Sequence, residues 1–172
     1  MRYLKDTPFE DLGVWYFEVD DQGTAFRQVV IEESRGYVTS NRKHEQLHFL
    51  LADQRIDANQ PYYTHITKHE FEEVWSGQLK QYEQEWQRAK EALPIGTAVE
   101  GYIEVFYPQG IIVHILTHPA VGVTDYAVCK EQTPPAWMYP RHKIKAMVRG
   151  YDEVNQWIVL EKASVLESQY LE

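Results

Sequence analysis

The sequence predicts an α+β chain: an N-terminal twisted antiparallel sheet with a hairpin, a long connecting helix, and a C-terminal five-stranded β-barrel. Three observations carry that expectation. Apolar-rich runs flanking a turn open the chain, a helix-period run with a capping signature occupies its middle, and five short apolar runs separated by turn residues follow Pro94. The parts fall at residues 1–66, 67–93 and 94–172. With 172 residues, 44% hydrophobic and 25% charged, the chain is large and apolar enough to bury a core.

Val14 to Asp20 (VWYFEVD) and Thr24 to Glu32 (TAFRQVVIE) read as two strands joined at Asp21-Gln22-Gly23, where Gly23 supplies positive φ. Alternation in the second strand is only partly clean. A third strand follows at Gly36 to Ser40, and the polar stretch from Asn41 to Gln60 carries no assignment. Thr67-Lys68-His69-Glu70 is a capping box, in which a hydroxyl and a carboxylate satisfy free amides at a helix start. Phe71, Trp75, Leu79, Tyr82, Trp86, Ala89 and Leu93 then recur every three or four residues until Pro94. An unbroken helix over that span is about 39 Å long, and Ser76-Gly77 is the candidate break. The spacing also fits a dimer seam, but the aromatics at seam positions suit globular packing, so the helix is read as joining two sheets. Beyond it, Val99 to Tyr107, Ile111 to Leu116, Gly122 to Val128, Lys143 to Tyr151 and Trp157 to Lys162 form five strands. Five strands in so short a span make a small barrel of the OB type.

Lys and Arg total 17 against 26 Asp and Glu, a net charge of −9. That balance excludes a generic grip on polyanions or anionic membranes. The charge is uneven: residues 94–172 hold 6 basic and 9 acidic side chains, and four of the six basic ones lie between Arg141 and Arg149. A single cysteine, Cys129, excludes an internal disulfide and a Cys-only zinc site and fits a cytoplasmic chain. Met1 to Glu10 lacks the apolar core of a signal peptide, and Ile111 to Leu116 is too short to span a bilayer. Cys129 has no partner motif for nucleophilic catalysis, and no glycine-rich phosphate loop or serine elbow occurs. No cofactor is expected. The neighbouring pairs Asp20 and Asp21, and Glu32 and Glu33, point to opposite faces and make poor acid–base pairs.

Gly96 to Gly101 (GTAVEG), Tyr107 to Val113 (YPQGIIV), Gly122 to Ala127, Lys143 to Val148, Asp152 and Ile158-Val159-Leu160 succeed one another in a recognisable order. Pro94 to Leu166 thereby resembles the RNA-binding domain of ribosomal protein S-one. The resemblance implies an OB barrel that stacks bases on an aromatic in its second strand and a histidine in its third. Ile112 and Asp125 stand at those places here, and isoleucine supplies little of the stacking that an aromatic contributes, about 1–3 kcal/mol per base. Tyr102, Phe106, Tyr107, Tyr126, Trp137 and Tyr139 are candidates for a displaced platform. Arg141, Lys143, Lys145 and Arg149 form the basic cluster, with Lys143 and Lys145 on one face of a strand. They read as a phosphate-contacting stripe or as a solvated strand face. In the first half, Trp15 to Asp20, Gly23, Arg27-Gln28-Val29, Leu51-Ala52-Asp53 and Phe71 to Trp75 resemble small uncharacterised bacterial proteins, which implies an α+β unit and no activity.

His44-Glu45-Gln46-Leu47-His48 is a literal H-E-x-x-H. On a helix that spacing aligns two imidazoles for zinc with the Glu as base, and His65, His69 or Glu70 are candidate third ligands. Arg42 and Lys43 beside it oppose a cation, and the preceding strand leaves little room for a long helix. His65 with His69 and His114 with His118 share the spacing but straddle a helix start and a strand end. The leading expectation is a non-enzymatic binding module touching single-stranded or structured RNA through the barrel. The alternative is a protein-interaction module whose barrel no longer binds RNA, and a third reading is a zinc hydrolase at His44 and His48. No membrane partner is expected.

Overall fold

Two tight turns and a pair of covering segments build the first sheet. The structure, a computed structural model, describes residues 1–8 and 12–171; Phe9 and Glu10 of the opening segment, with Asp11 and Glu172, lie outside the described residues. Strands β1 (Arg2–Asp6), β2 (Val14–Val19), β3 (Ala25–Glu32), β4 (Gly36–Thr39) and β5 (Thr64–Ile66) form an antiparallel sheet in the order β4-β3-β2-β1-β5. β2, β3 and β4 match the expected strands; β1 and the three-residue β5 add to them. At the β2–β3 turn, Asp20 Oδ1 accepts from the amides of Gln22 (2.9 Å) and Thr24 (2.8 Å). Gly23 there has φ +85°, and a Cβ on it would lie 2.3 Å from the Ile56 carbonyl oxygen.

The imperfect alternation of β3 has a physical cause: both faces of the sheet are covered. Val29 packs with Phe71 and Trp75 of the following helix, against Tyr3, Tyr16 and Ile31. Leu4, Phe17, Val19 and Ala25 pack instead with Leu51, Ala52, Ile56, Ala58 and Tyr63. The polar stretch without an assignment is thus a cover for the second face. Gln28 Oε1 ties it down by accepting from the Ala52 amide at 2.8 Å.

Helix α1 (Lys68–Lys80) starts at the expected capping box. Glu70 donates its amide to Thr67 Oγ1 (3.2 Å), and its carboxylate accepts from the Thr67 amide (2.6 Å). The helix runs through Ser76 and Gly77, with Ser76 Oγ donating back to the Glu72 carbonyl at 2.7 Å. The interruption falls instead at Gln81-Tyr82, whose amides bond three residues back to Gln78 and Leu79. Helix α2 (Glu83–Ala92) follows. The chain divides into two compact units, residues 1–82 and 83–172, and that division separates the two helices.

In the second unit, α2 contributes Trp86 and Ala89, with Leu93 just beyond, to the core of the following strands. Trp86 Nε1 and Lys90 Nζ both donate to Glu153, at 2.7 and 2.9 Å. Strands β6 (Ala98–Tyr107), β7 (Gly110–Ile115), β8 (Val121–Thr124), β9 (His142–Asp152) and β10 (Trp157–Gln169) close into a barrel ordered β10-β8-β7-β6-β9. All pairings are antiparallel except β10 with β8. A closed five-stranded barrel of this kind fits the OB type. Gly101 permits the β6–β7 approach, since a Cβ there would stand 2.1 Å from the His114 carbonyl oxygen.

Two boundaries differ from expectation. β8 stops at Thr124, and Tyr126, Ala127 and Val128 belong to helix α3 (Tyr126–Gln132), because Asp125 caps it by accepting from the Val128 amide at 2.9 Å. β10 continues past Lys162 to Gln169; the pairing shifts register between Glu161 and Ser164, where Lys162 has φ +52°. None of the described helices is long and apolar enough to cross a membrane.

Candidate nucleic-acid interface

β9 sorts its side chains by alternation. Ile144, Ala146 and Val148 enter the barrel core, while Lys143, Lys145 and Arg149 face outward. The ladder sets Lys143 opposite Tyr102 and Lys145 opposite Glu100 of β6. Lys145 Nζ lies 3.3 Å from Glu100 Oε1, with both side chains exposed. A groove of about 260 Å³ opens between these strands and the end of β10, lined by Glu100, Lys143, Lys145, Leu166 and Ser168 among others.

Tyr102 adjoins that groove. Its ring stacks on His114 (centroids 4.7 Å apart, planes at 18°) and on Tyr170 (4.8 Å, 13°). The Arg141 guanidinium lies 5.9 Å from the same ring. Burial pushes the Tyr102 phenol above its usual pKa, and the charge of Glu104 adds to the rise. Arg141 itself takes φ +72° just before β9, and its amide donates to the Ile103 carbonyl at 2.7 Å.

A second group of rings surrounds a shallow cavity of about 300 Å³ lined by Phe106, Tyr107, Tyr126 and Met138. Phe106 meets Tyr126 edge to face at 5.8 Å, and Lys130 Nζ stands 5.7 Å from the Tyr126 ring centre. Tyr126 is 42% exposed, whereas Tyr107 is buried and its phenol pKa is pushed upward by that burial. Trp137 packs against the barrel core, and Tyr139 projects into solvent. The eight site residues expected from the sequence therefore separate. Lys143 and Lys145 line the groove, Tyr102 stands opposite Lys143 with Arg141 beside its ring, Phe106, Tyr107 and Tyr126 line the cavity, and Arg149 lines neither.

The two departures from the S-one pattern acquire structural roles. Ile112 is fully buried and presents no surface to a base. Asp125 is the N-cap of α3, which accounts for an acid at that position. Cys129 is buried in the barrel core, and burial raises its thiol pKa, as for an inert thiol.

The helical geometry that a zinc site at the remote candidates His44 and His48 requires is not formed. The segment is not helical: the two residues exchange backbone hydrogen bonds of 2.7 and 2.8 Å across a bridge-closed loop, and His48 has φ +52°. A four-residue spacing aligns imidazoles only on a helix. Of the suggested third ligands, His65 Nε2 lies 2.9 Å from the Ala58 carbonyl oxygen, His69 faces Glu73 and Glu70 closes the capping box. Among the described residues, no three His, Cys, Asp or Glu side chains gather where they could hold a metal.

No family model and no curated protein matches the chain. Among solved structures it is similar to a multidomain protein with nucleic-acid-binding domains from Streptococcus pneumoniae, at 16% identity over 92% of this chain and 49% of that one, with a TM-score of 0.28. The chain thus spans about half of that protein's length. A likeness at this level carries neither fold nor ligand across.

His114, Tyr170, Lys130 and Met138 were not among the site residues expected from the sequence. His114 had a usable signal, since it alternates with the inward Ile111, Val113 and Ile115 and so must face outward. Tyr170 had a weaker one in Ala163 and Val165, which resume an inward alternation after the shift at Lys162.

Proposed function

We propose that this chain is a non-enzymatic binding module that contacts single-stranded RNA along the barrel face formed by Tyr102, Lys143 and Lys145. The observation that carries the reading is the cross-strand placement of Lys143 beside Tyr102 at the edge of a groove lined by two lysines. Grooves that track a phosphate backbone combine such cations with rings on which bases stack. The ordered S-one motifs of the same half support the reading. The cavity at Phe106 and Tyr126, with Lys130 at its rim, offers an extruded base a second apolar contact. The single buried thiol suits a reducing, cytoplasmic setting.

With a net charge of −9 the affinity is low and falls steeply with salt. Filter binding to short single-stranded RNA, at low and moderate salt, tests this. Lys143→Glu combined with Lys145→Glu lowers affinity at least about tenfold and flattens the logarithmic salt slope by about 1.4, the share of two phosphate contacts on a single strand. Absence of salt-dependent binding at about 10 µM protein, a concentration within the usual non-specific range, overturns the reading.

A second reading rests on the cavity alone. Its lining of Phe106, Tyr107, Tyr126 and Met138 also suits an apolar side chain of a protein partner. Tyr126→Ala then abolishes partner capture, while Lys143→Glu leaves it intact.

A further inference from the structure

Tyr102 is an outward-facing strand residue, yet it is only 5% exposed. Part of its cover is Tyr170, whose ring lies nearly parallel to it at 4.8 Å. That is the geometry in which a nucleobase packs on a tyrosine. The cover arrives from the far end of β10, where the fold holds the chain lightly. Upstream, Ile158, Leu160, Ala163 and Val165 anchor β10 in the barrel core. Beyond them Glu167, Ser168 and Gln169 are exposed.

Apart from that ring contact, the attachments of this end segment are polar. The Tyr170 amide donates to the Arg141 carbonyl at 2.8 Å, and Arg141 Nε donates to the Tyr170 carbonyl at 3.2 Å. His142 Nδ1 lies 2.9 Å from the Leu166 carbonyl oxygen, while its Nε2 lies 3.1 Å from the Gln169 side-chain amide. A neutral imidazole satisfies both by donating from Nδ1 and accepting at Nε2. A segment held by part-buried hydrogen bonds and one ring contact, with no side chain in the barrel core beyond Val165, belongs to the part of a fold that opens at lower free energy than the core strands. The same segment supplies Leu166 and Ser168 to the wall of the lysine groove.

We infer that the face of Tyr102 beneath Tyr170 is a nucleobase-stacking subsite, filled by Tyr170 in the free protein and vacated when single-stranded RNA binds. The inference rests on the RNA reading above and specifies how that site is regulated. A planar ring leaves and a planar base takes its place, with the Arg141 guanidinium beside the ring and Lys143 one strand away for the adjoining phosphate. The stacked tyrosine pair lowers apparent affinity by the fraction of molecules in which the face is covered. An aromatic pair of ordinary strength makes that reduction about three- to tenfold.

The test compares wild type, Tyr170→Ala, Tyr170→Phe, and Tyr170→Ala combined with Tyr102→Leu, titrated with a labelled short oligoadenylate at one fixed salt concentration. Tyr170→Ala binds about three- to tenfold more tightly with an unchanged salt slope, since no charge is altered. Tyr170→Phe, which keeps the ring, matches wild type, and Tyr102→Leu removes the gain. In wild type, hydrogen exchange at the Tyr170 amide accelerates when the oligonucleotide is added, an effect independent of any variant's stability. Wild-type binding with Tyr170→Ala equal or weaker, or exchange at Tyr170 unmoved by RNA, overturns the subsite while leaving the RNA reading in place. No binding by any of the four proteins overturns both.

Discussion

Each unit sets a strand cation near an aromatic residue, against the ring itself in the first and one strand across in the second, and the two cations meet opposite fates. In the first unit Arg27 of β3 is 6% exposed. Glu18 and Glu72 both accept its hydrogen bonds, and its guanidinium lies 4.9 Å from the Phe71 ring and 5.1 Å from that of Trp75. In the barrel, Lys143 of β9 stands opposite Tyr102, lines a groove, and has no carboxylate partner among the described residues. The contrast teaches that proximity of cation and ring does not mark a binding surface. Two carboxylates make Arg27 a fastening between sheet and helix. Lys143, with no such partner among the described residues, stays at the lining of a groove.

Breaking the sealed side gives the largest effect. Arg27→Ala leaves Glu18 buried without its cation and destabilises the first unit by about 3–5 kcal/mol, the usual consequence of removing one partner of a buried pair. Chemical denaturation followed by the fluorescence of Trp75 reads it. Adding Glu18→Gln to Arg27→Met recovers much of the loss, because no uncompensated charge then remains in the sheet. Lys143→Ala, by contrast, changes stability by no more than about 0.5 kcal/mol.

Acid separates the same two regions more gently. Hydrogen bonds from Arg27 hold the Glu72 carboxyl below its ordinary pKa, against the opposing effect of burial. The stability this carboxylate supplies is fully present above the unfolded value of about 4.3. It is lost as pH falls through the lower folded-state value. Thermal melts of wild type between pH 5 and the onset of acid unfolding therefore decline, and Glu72→Gln declines less while starting lower at neutral pH. An equal decline in the two proteins removes Glu72 from the account.

The contrast between Arg27 and Lys143 was only half legible in the sequence. Local chemistry read well. The Thr67–Glu70 box, the Gly23 turn and the alternation of Lys143 and Lys145 with inward residues each need only a few neighbouring side chains. What did not read were properties of register and of distant pairing. Glu72 reaches Arg27 across 45 positions, and Tyr102 meets Lys143 only once the β6–β9 ladder is fixed. Tyr126 was misplaced for a local reason. Gly122 to Val128 looks like one apolar run, but an aspartate in its middle can cap a helix, and Asp125 does so. The break at Gln81-Tyr82 carries neither glycine nor proline; the Arg42 guanidinium packed 3.7 Å from the Tyr82 ring centre marks it only in three dimensions.

The smallest effect lies within the barrel face itself and refines what an available cation means. Lys145 shares the groove with Lys143, but Glu100 stands 3.3 Å from its ammonium. An exposed pair of this kind contributes at most about 1 kcal/mol to stability, so Lys145→Ala barely shifts the melting temperature. In the proposed RNA contact, a phosphate arriving at Lys145 competes with Glu100, whereas no carboxylate among the described residues pairs with Lys143. On the proposed RNA contact, Lys143→Ala weakens binding more than Lys145→Ala, and Glu100→Gln, which frees Lys145, strengthens it at low salt by about twofold to fivefold. Equal losses from the two lysine variants, with no gain from Glu100→Gln, show that the groove reads only summed charge. The distinction between a closed and an open cation would then hold for the buried Arg27 and not for this surface.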